Sequence, residues 1–156
     1  YRNSSVRPAD TGAGVKMGQV MTKLTLWNNT DLDMAERGLI PREAVRTVEI
    51  EALVDTGAST LVLPQDVVDA LGLPIVDHLP VRLADGNRYT WPVAGSVRLS
   101  ILDRGMQCDA YVAPAGATAL IGQIPLERLD LIVDPKSQEV RVKFPDGPHL
   151  YVMRAA

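Results

Sequence analysis

Few side chains in this sequence combine a reactive type with a suitable setting. The strongest candidate is Asp55, which follows the apolar run Ala52-Leu53-Val54 and opens the stretch Asp55-Thr56-Gly57-Ala58-Ser59. Gly57 lets the backbone turn sharply, so that the carboxylate lies in a loop at a strand end. A carboxyl group can serve as base or, once protonated, as acid. Doing both at one pH takes two carboxyl groups close together, because like charges cannot both ionise and the pair shares a proton. Asp-Thr-Gly occurs twice, but the copy at Asp10 lies in a polar segment, and only the one at Asp55 ends an apolar strand. The plain reading of Asp55 is a loop aspartate after a strand.

Other chemistries find less support. His78 and His149 stand far apart with no ligand spacing around them, so both are read as ordinary residues, and no metal site is expected. Cys108 is the only cysteine, which excludes a disulfide framework within the chain and a zinc site built from thiolates. It alternates with Met106 and Ala110 and is read as core. Asp134, before Pro135, reads as a turn residue, and Asp130 as a surface polar residue near a helix end. The formal charge of −3 gives no electrostatic footprint for nucleic acid. No run of Lys or Arg suggests membrane anchoring, and no stretch reaches the roughly 20 apolar residues of a membrane span. Tyr1 to Ser5 do not lead into an apolar leader, so a reducing, cytoplasmic setting is expected.

The elements that must position Asp55 are mostly strands. At 156 residues the chain has the size of one domain with a working core. Residues 1–16, polar and without periodicity, read as a flexible N-terminal segment or an expression remnant; 17–148 as the folded domain; and 149–156 as a tail able to supply an interface strand. Short alternating segments broken by turn residues indicate an all-β fold. Val20 to Trp27 alternate. Asn28 to Arg42 form a long connection with a helical turn near Met34 to Arg37. Val48, Ile50, Ala52 and Val54 share one face of the next strand.

After the Asp55 loop comes Leu61-Val62-Leu63. Pro64 then opens a short helix that carries Val67, Val68 and Leu71 inward and stops at Gly72. Leu79, Val81 and Leu83 enter a hairpin turning at Asp85-Gly86 and returning through Tyr89, Trp91 and Val93. Val97 to Ile101 and Met106 to Val112 follow, around a turn at Asp103-Arg104-Gly105. Ala119 to Gly122 and Pro125 to Leu129 echo the earlier order of apolar strand, glycine, proline and short helix, a weak internal twofold repeat. Leu131 to Val133 and Val140 to Phe144 close a last hairpin around Asp134 to Ser137.

The segment Ala52 to Ser59 resembles the active-site motif of aspartic peptidases. Leu120-Ile121-Gly122 resembles that family's second signature, and the Asp85-Gly86 hairpin lies between the two. The resemblance covers roughly Val48 to Phe144 and is closest to single-domain, retropepsin-like members, bacterial ones included. It implies an all-β acid-protease barrel with an internal pseudo-twofold repeat and one or two short helices. It also implies peptide-bond hydrolysis by an activated water, with Asp55 catalytic and Thr56, Gly57, Ala58 and Ser59 supporting its loop. Leu120, Ile121 and Gly122 would back that loop. Ala84, Asp85, Gly86 and Asn87 would form a flap over an extended peptide. On local sequence alone this reads as an ordinary surface hairpin, and Tyr89 with Trp91 as plain cross-strand packing; its position between the two signatures is what supports the flap.

Because a chain of this length has only one Asp-Thr-Gly at the end of an apolar strand, an active enzyme of this kind must be a homodimer with one Asp55 from each copy. By the resemblance, the Thr56 hydroxyl bonds the partner's loop, and no metal or organic cofactor takes part. Related two-lobed enzymes often place a hydroxyl residue where this chain has Ala58. Without that bond to the charged form, activity is expected to extend to milder acidity. The alternative keeps the fold and loses the activity, leaving a weak or inactive dimerisation or peptide-binding module. A third reading is an unrelated small β-barrel with a chance motif.

Overall fold

Alternation decides the first strand, β1 (Val20–Asn28): Leu24 and Leu26 are fully buried, while Lys23 before them is exposed and Thr25 between them is half-buried. The computed structural model describes residues 19–148; the expected segments 1–16 and 149–156 lie outside them. Asn28 ends β1 and caps α1 (Asn29–Glu36), its side chain accepting from the Asp31 N–H. The connection expected there is thus a two-turn helix. A single 3₁₀ turn (Arg42–Ala44) leads into β2 (Thr47–Val54). With α2 (Gln65–Leu71) and α3 (Gln123–Arg128), the described residues hold three α-helices where one or two were expected.

The remaining strands are β3 (Leu61–Pro64), β4 (Ile75–Arg82), β5 (Arg88–Ile101), β6 (Arg104–Ala113), β7 (Ala119–Ile121), β8 (Leu131–Asp134) and β9 (Glu139–Val142). The first seven form one sheet in the order β1-β2-β7-β3-β6-β5-β4. A further pairing of β1 with β5 closes six of them into a barrel and leaves β4 outside it. β8 and β9 pair separately as a hairpin. This is the all-β barrel that the sequence led us to expect. The core is the barrel interior, filled by Leu24, Leu26, Leu61, Leu63, Leu99, Ile101 and Ile121 and capped by Val68 and Leu71 of α2. As expected, α2 stops at Gly72, whose left-handed conformation (φ 65°) suits glycine.

Several local expectations need correction. The return arm of the hairpin and the Val97 run are one strand, β5, interrupted by a bulge between Ala94 and Val97. The β5–β6 turn is Leu102-Asp103, both with positive φ, rather than Asp103-Arg104-Gly105. Arg104 starts β6 and is buried: its Nη1 donates to the carbonyls of Leu129 (2.9 Å) and Asp130 (3.2 Å), and its Nη2 to that of Phe144. Asp130 is itself buried, not a surface residue. The internal echo is partial: α2 follows the return strand β3, whereas α3 begins straight after Gly122.

At the end of the barrel away from Asp55, Asp31 and Arg46 form a two-pronged ion pair. Arg46 Nε donates to Asp31 Oδ2 at 2.8 Å and Nη2 to Oδ1 at 3.0 Å. The guanidinium lies against Gly72, where a Cβ would come within 1.9 Å of it. Asn28 adds a bond from its side-chain amide to the Leu71 carbonyl. The start of β2, the helix α1 and the end of α2 are therefore tied together.

Candidate active site

β2 and β3 are joined by the loop of residues 55–60, yet they do not pair with each other. β7 lies between them, parallel to β2 and antiparallel to β3. This insertion fixes the loop from below. The Asp55 N–H donates to the Ile121 carbonyl at 3.0 Å. Gln123 N–H donates to the Ala58 carbonyl at 2.9 Å, and Ile124 N–H to that of Ser59 at 3.0 Å. Three main-chain bonds thus rivet the Asp55 loop to β7 and the start of α3. They require the two backbones to touch at Gly122, where a Cβ would stand 2.5 Å from the Ala58 oxygen and 2.7 Å from the Thr60 nitrogen. Only glycine fits that gap.

Within the loop, the Gly57 N–H donates to Asp55 Oδ1 at 2.9 Å, and the Ala58 N–H to the Asp55 carbonyl at 3.0 Å. The carboxylate is thereby oriented by main chain alone. Asp55 and Ala58 are half-buried, while Thr56, Gly57 and Ser59 are exposed. The loop therefore faces outward, with room for another surface to close on it. Ile121 is fully buried and Leu120 only half-buried, so the two apolar residues of that signature point to opposite sides of the sheet. Among the described residues, no three His, Cys, Asp or Glu side chains converge as a metal site would need.

Strand register reveals a feature that local sequence did not. Reading partners across the sheet gives one row, Met21–Leu53–Leu120–Val62–Tyr111–Val93–Asp77, on β1, β2, β7, β3, β6, β5 and β4. The adjacent row, Val20–Val54–Ile121–Leu61–Ala110–Ala94–Ile75, belongs mostly to the core. Neighbouring rows point to opposite faces, so the first row lies on the outer face of the barrel. An outer face usually carries polar residues. Here six strands present apolar ones, five of them half-buried, in a line that passes Leu53, two residues before Asp55.

Beyond the barrel, β4 and the first part of β5 continue as a two-stranded arm, since β5 meets β6 only from Val93 onward. On the side that continues the apolar row, Leu79 faces Trp91 and Val81 faces Tyr89. The opposite side carries His78, Pro80 and Arg82 facing Pro92, Thr90 and Arg88. The tip contains Ala84, Asp85, Gly86 and Asn87. Leu83 N–H donates to the Asn87 carbonyl (3.0 Å) and Gly86 N–H to that of Leu83 (2.9 Å). The Asp85 carboxylate accepts from Asn87 N (2.8 Å) and Nδ2 (3.1 Å). With Gly86 at φ 87°, this is a well-braced turn. It leaves the Asp85 carboxylate occupied by the turn itself.

Cys108 packs against the core, as expected, and burial followed by the charge of Asp109 pushes its thiol up to about 12. It is inert rather than nucleophilic. Asp134 is the turn residue expected: its Oδ1 accepts from the N–H groups of Lys136 (2.9 Å) and Ser137 (3.4 Å), which hold its carboxyl below the ordinary range.

The profile of a family described as aspartyl protease matches residues 44–124, a span that includes the Asp55 loop, the hairpin and the Leu120-Ile121-Gly122 signature. No curated protein matches the chain. Among solved structures, a retropepsin-like aspartic protease from Rickettsia conorii is similar at 17% identity, over 75% of this chain and 85% of that one, with a TM-score of 0.44. The retroviral protease-like domain of Ddi1 from Leishmania major is similar at 16% identity, over 85% and 95%, with a TM-score of 0.48.

Proposed function

Because the chain belongs to the aspartyl protease family, we propose that it is an endopeptidase that works as a homodimer, with Asp55 of each copy forming one catalytic pair. The observation that carries this reading is the Asp55 loop itself. One carboxylate, oriented by the Gly57 N–H and riveted through Gly122 to β7, faces outward beside exposed Thr56 and Gly57. Half of an acid–base pair is thus built rigidly, and a twofold axis through the loop would supply the other half.

In the paired site one carboxyl is ionised and the other protonated. The ionised group takes a proton from a bound water as its oxygen attacks the peptide carbonyl carbon. The protonated group hydrogen-bonds the carbonyl oxygen as charge develops there. Collapse of the tetrahedral species breaks the C–N bond, and the proton taken from water goes to the leaving nitrogen. Both carboxyls return to their starting states. The rigid loop matters because small displacements of reacting groups are costly.

The outer apolar row gives the substrate a wall. An extended peptide lying along it would bury large apolar side chains against Leu53, Leu120, Val62 and Tyr111. The β4–β5 arm would close over it with Leu79, Val81, Tyr89 and Trp91, excluding water. Peptides with large apolar residues beside the cleaved bond are therefore the substrate class. The test pairs activity with particle mass. Such peptides should be cut between about pH 3 and 7, where a shared proton can operate, and Asp55→Asn should abolish cutting while the dimer persists. A dimer that cuts nothing across that range would instead be a dimerisation or peptide-binding module.

A further inference from the structure

The apolar row ends in a charge. Its last member, Asp77 on β4, faces Val93 across the strand pair, one partner beyond Tyr111. Asp77 is exposed, and Oδ1 accepts from the N–H of the next residue, His78, at 2.8 Å. Among the described residues no ion pair is made to it, and the basic side chains of its own hairpin point the other way. His78, Arg82 and Arg88 alternate onto the opposite side, and Arg82 and Arg88 face one another there. On the row's side of the hairpin the facing residues are Leu79, Trp91, Val81 and Tyr89. The β6 residue two before Tyr111 on the same face is Asp109, also exposed. That end of the row is therefore negative and lacks a cationic partner from the hairpin or from β6.

We infer that Asp77 selects substrates carrying a Lys or Arg side chain at a position outside the apolar pair that flanks the cleaved bond. This rests on the peptidase reading and deepens it. The pattern of apolar wall followed by carboxylate matches a long side chain whose methylenes cover half-buried Tyr111 while its charge reaches Asp77. Asp77 touches substrate without touching the reacting atoms, so it sets affinity and leaves the chemical step alone.

The experiment uses the full chain and a set of peptides that share large apolar residues at the cleaved bond. The set differs at one outer position at a time, with Lys, Gln or Glu there. For an exposed pair, attraction to Lys and repulsion of Glu together predict about a tenfold higher kcat/KM for Lys at one position, carried by KM. The preference should shrink in about 1 M salt, where charges a few ångströms apart are screened. Asp77→Asn should erase the preference and Asp77→Lys should reverse it, each read as the ratio of the Lys or Glu peptide to the Gln peptide cut by the same protein. Equal rates for Lys and Glu peptides at every position, or a Lys preference that survives Asp77→Lys, would overturn the assignment and leave the peptidase standing. Failure to cut any peptide would remove both.

Discussion

Replacing Gly122 with alanine tests the riveting of the Asp55 loop at its closest point. Gly122 has φ −100° and ψ −168°, a conformation open to any residue, so alanine meets no backbone strain. The effect is purely one of space. The added methyl would stand 2.5 Å from the Ala58 oxygen and 2.7 Å from the Thr60 nitrogen, both backbone atoms that cannot swing aside. Reaching an ordinary contact of 3.4 Å requires the loop and β7 to separate by about 0.9 Å. That movement strains the bonds from Gln123 to Ala58 and from Ile124 to Ser59. Overpacking of this kind costs about 2 kcal/mol, which for a chain of this size lowers Tm by about 4–8 °C. Because Asp55 and Ala58 lie in the displaced loop, kcat/KM should fall about a hundredfold, the loss expected when reacting groups move by about 1 Å. Thermal melting and peptide cleavage on one preparation measure both. A variant with Tm within about 1 °C and activity within about twofold of the native chain would refute the argument.

Other expectations concern stability. Arg104→Ala should leave the carbonyls of Leu129, Asp130 and Phe144 without their donor and cost about 2–4 kcal/mol in chemical denaturation, with α3–β8 the first region to exchange amide hydrogens. Hydrogen bonding from Arg46 holds the Asp31 carboxyl below its ordinary 3.8, so the pair stabilises the fold above that pH and the benefit disappears as pH falls through the lower folded value. Arg46→Ala should therefore unfold more easily than the native chain at neutral pH, and the gap between their urea midpoints should close in acid. The Cys108 thiol, pushed from 9.0 up to about 12, stays neutral in the folded chain while the unfolded chain ionises, so stability falls as pH rises between those values. At neutral pH the native thiol should react with a maleimide far more slowly than the urea-unfolded one; equal rates would contradict its burial.

The features legible in the sequence are those that depend on neighbours along the chain. Alternation marked β1 and β2, Gly72 marked the end of α2, and Asp85-Gly86 marked the hairpin tip. The Asp55 loop and the Gly122 signature were legible as patterns with a known chemistry. What stayed hidden depends on partners distant in sequence. The outer row is invisible locally because Met21, Leu53, Val62 and Tyr111 each look like isolated breaks in alternation; only strand register lines them up. Arg104 reads as a turn residue until the carbonyls that draw it inward, from residues 129, 130 and 144, are in place. The bulge at Gly95-Ser96 shifts the alternation of β5, which makes one long strand look like two. α1 was underestimated because its inward anchor is the polar Asp31, held by Arg46, and not an apolar stripe.

The most direct test of the shared pair mixes native chain with Asp55→Asn under conditions where subunits exchange. If each active site takes one Asp55 from each copy, a mixed dimer holds a single carboxylate and is dead. Random pairing with a ninefold excess of the variant then leaves about a tenth of the native activity. Activity undiminished by that excess would mean that each chain works with its own residues alone, and the two-copy account would be wrong.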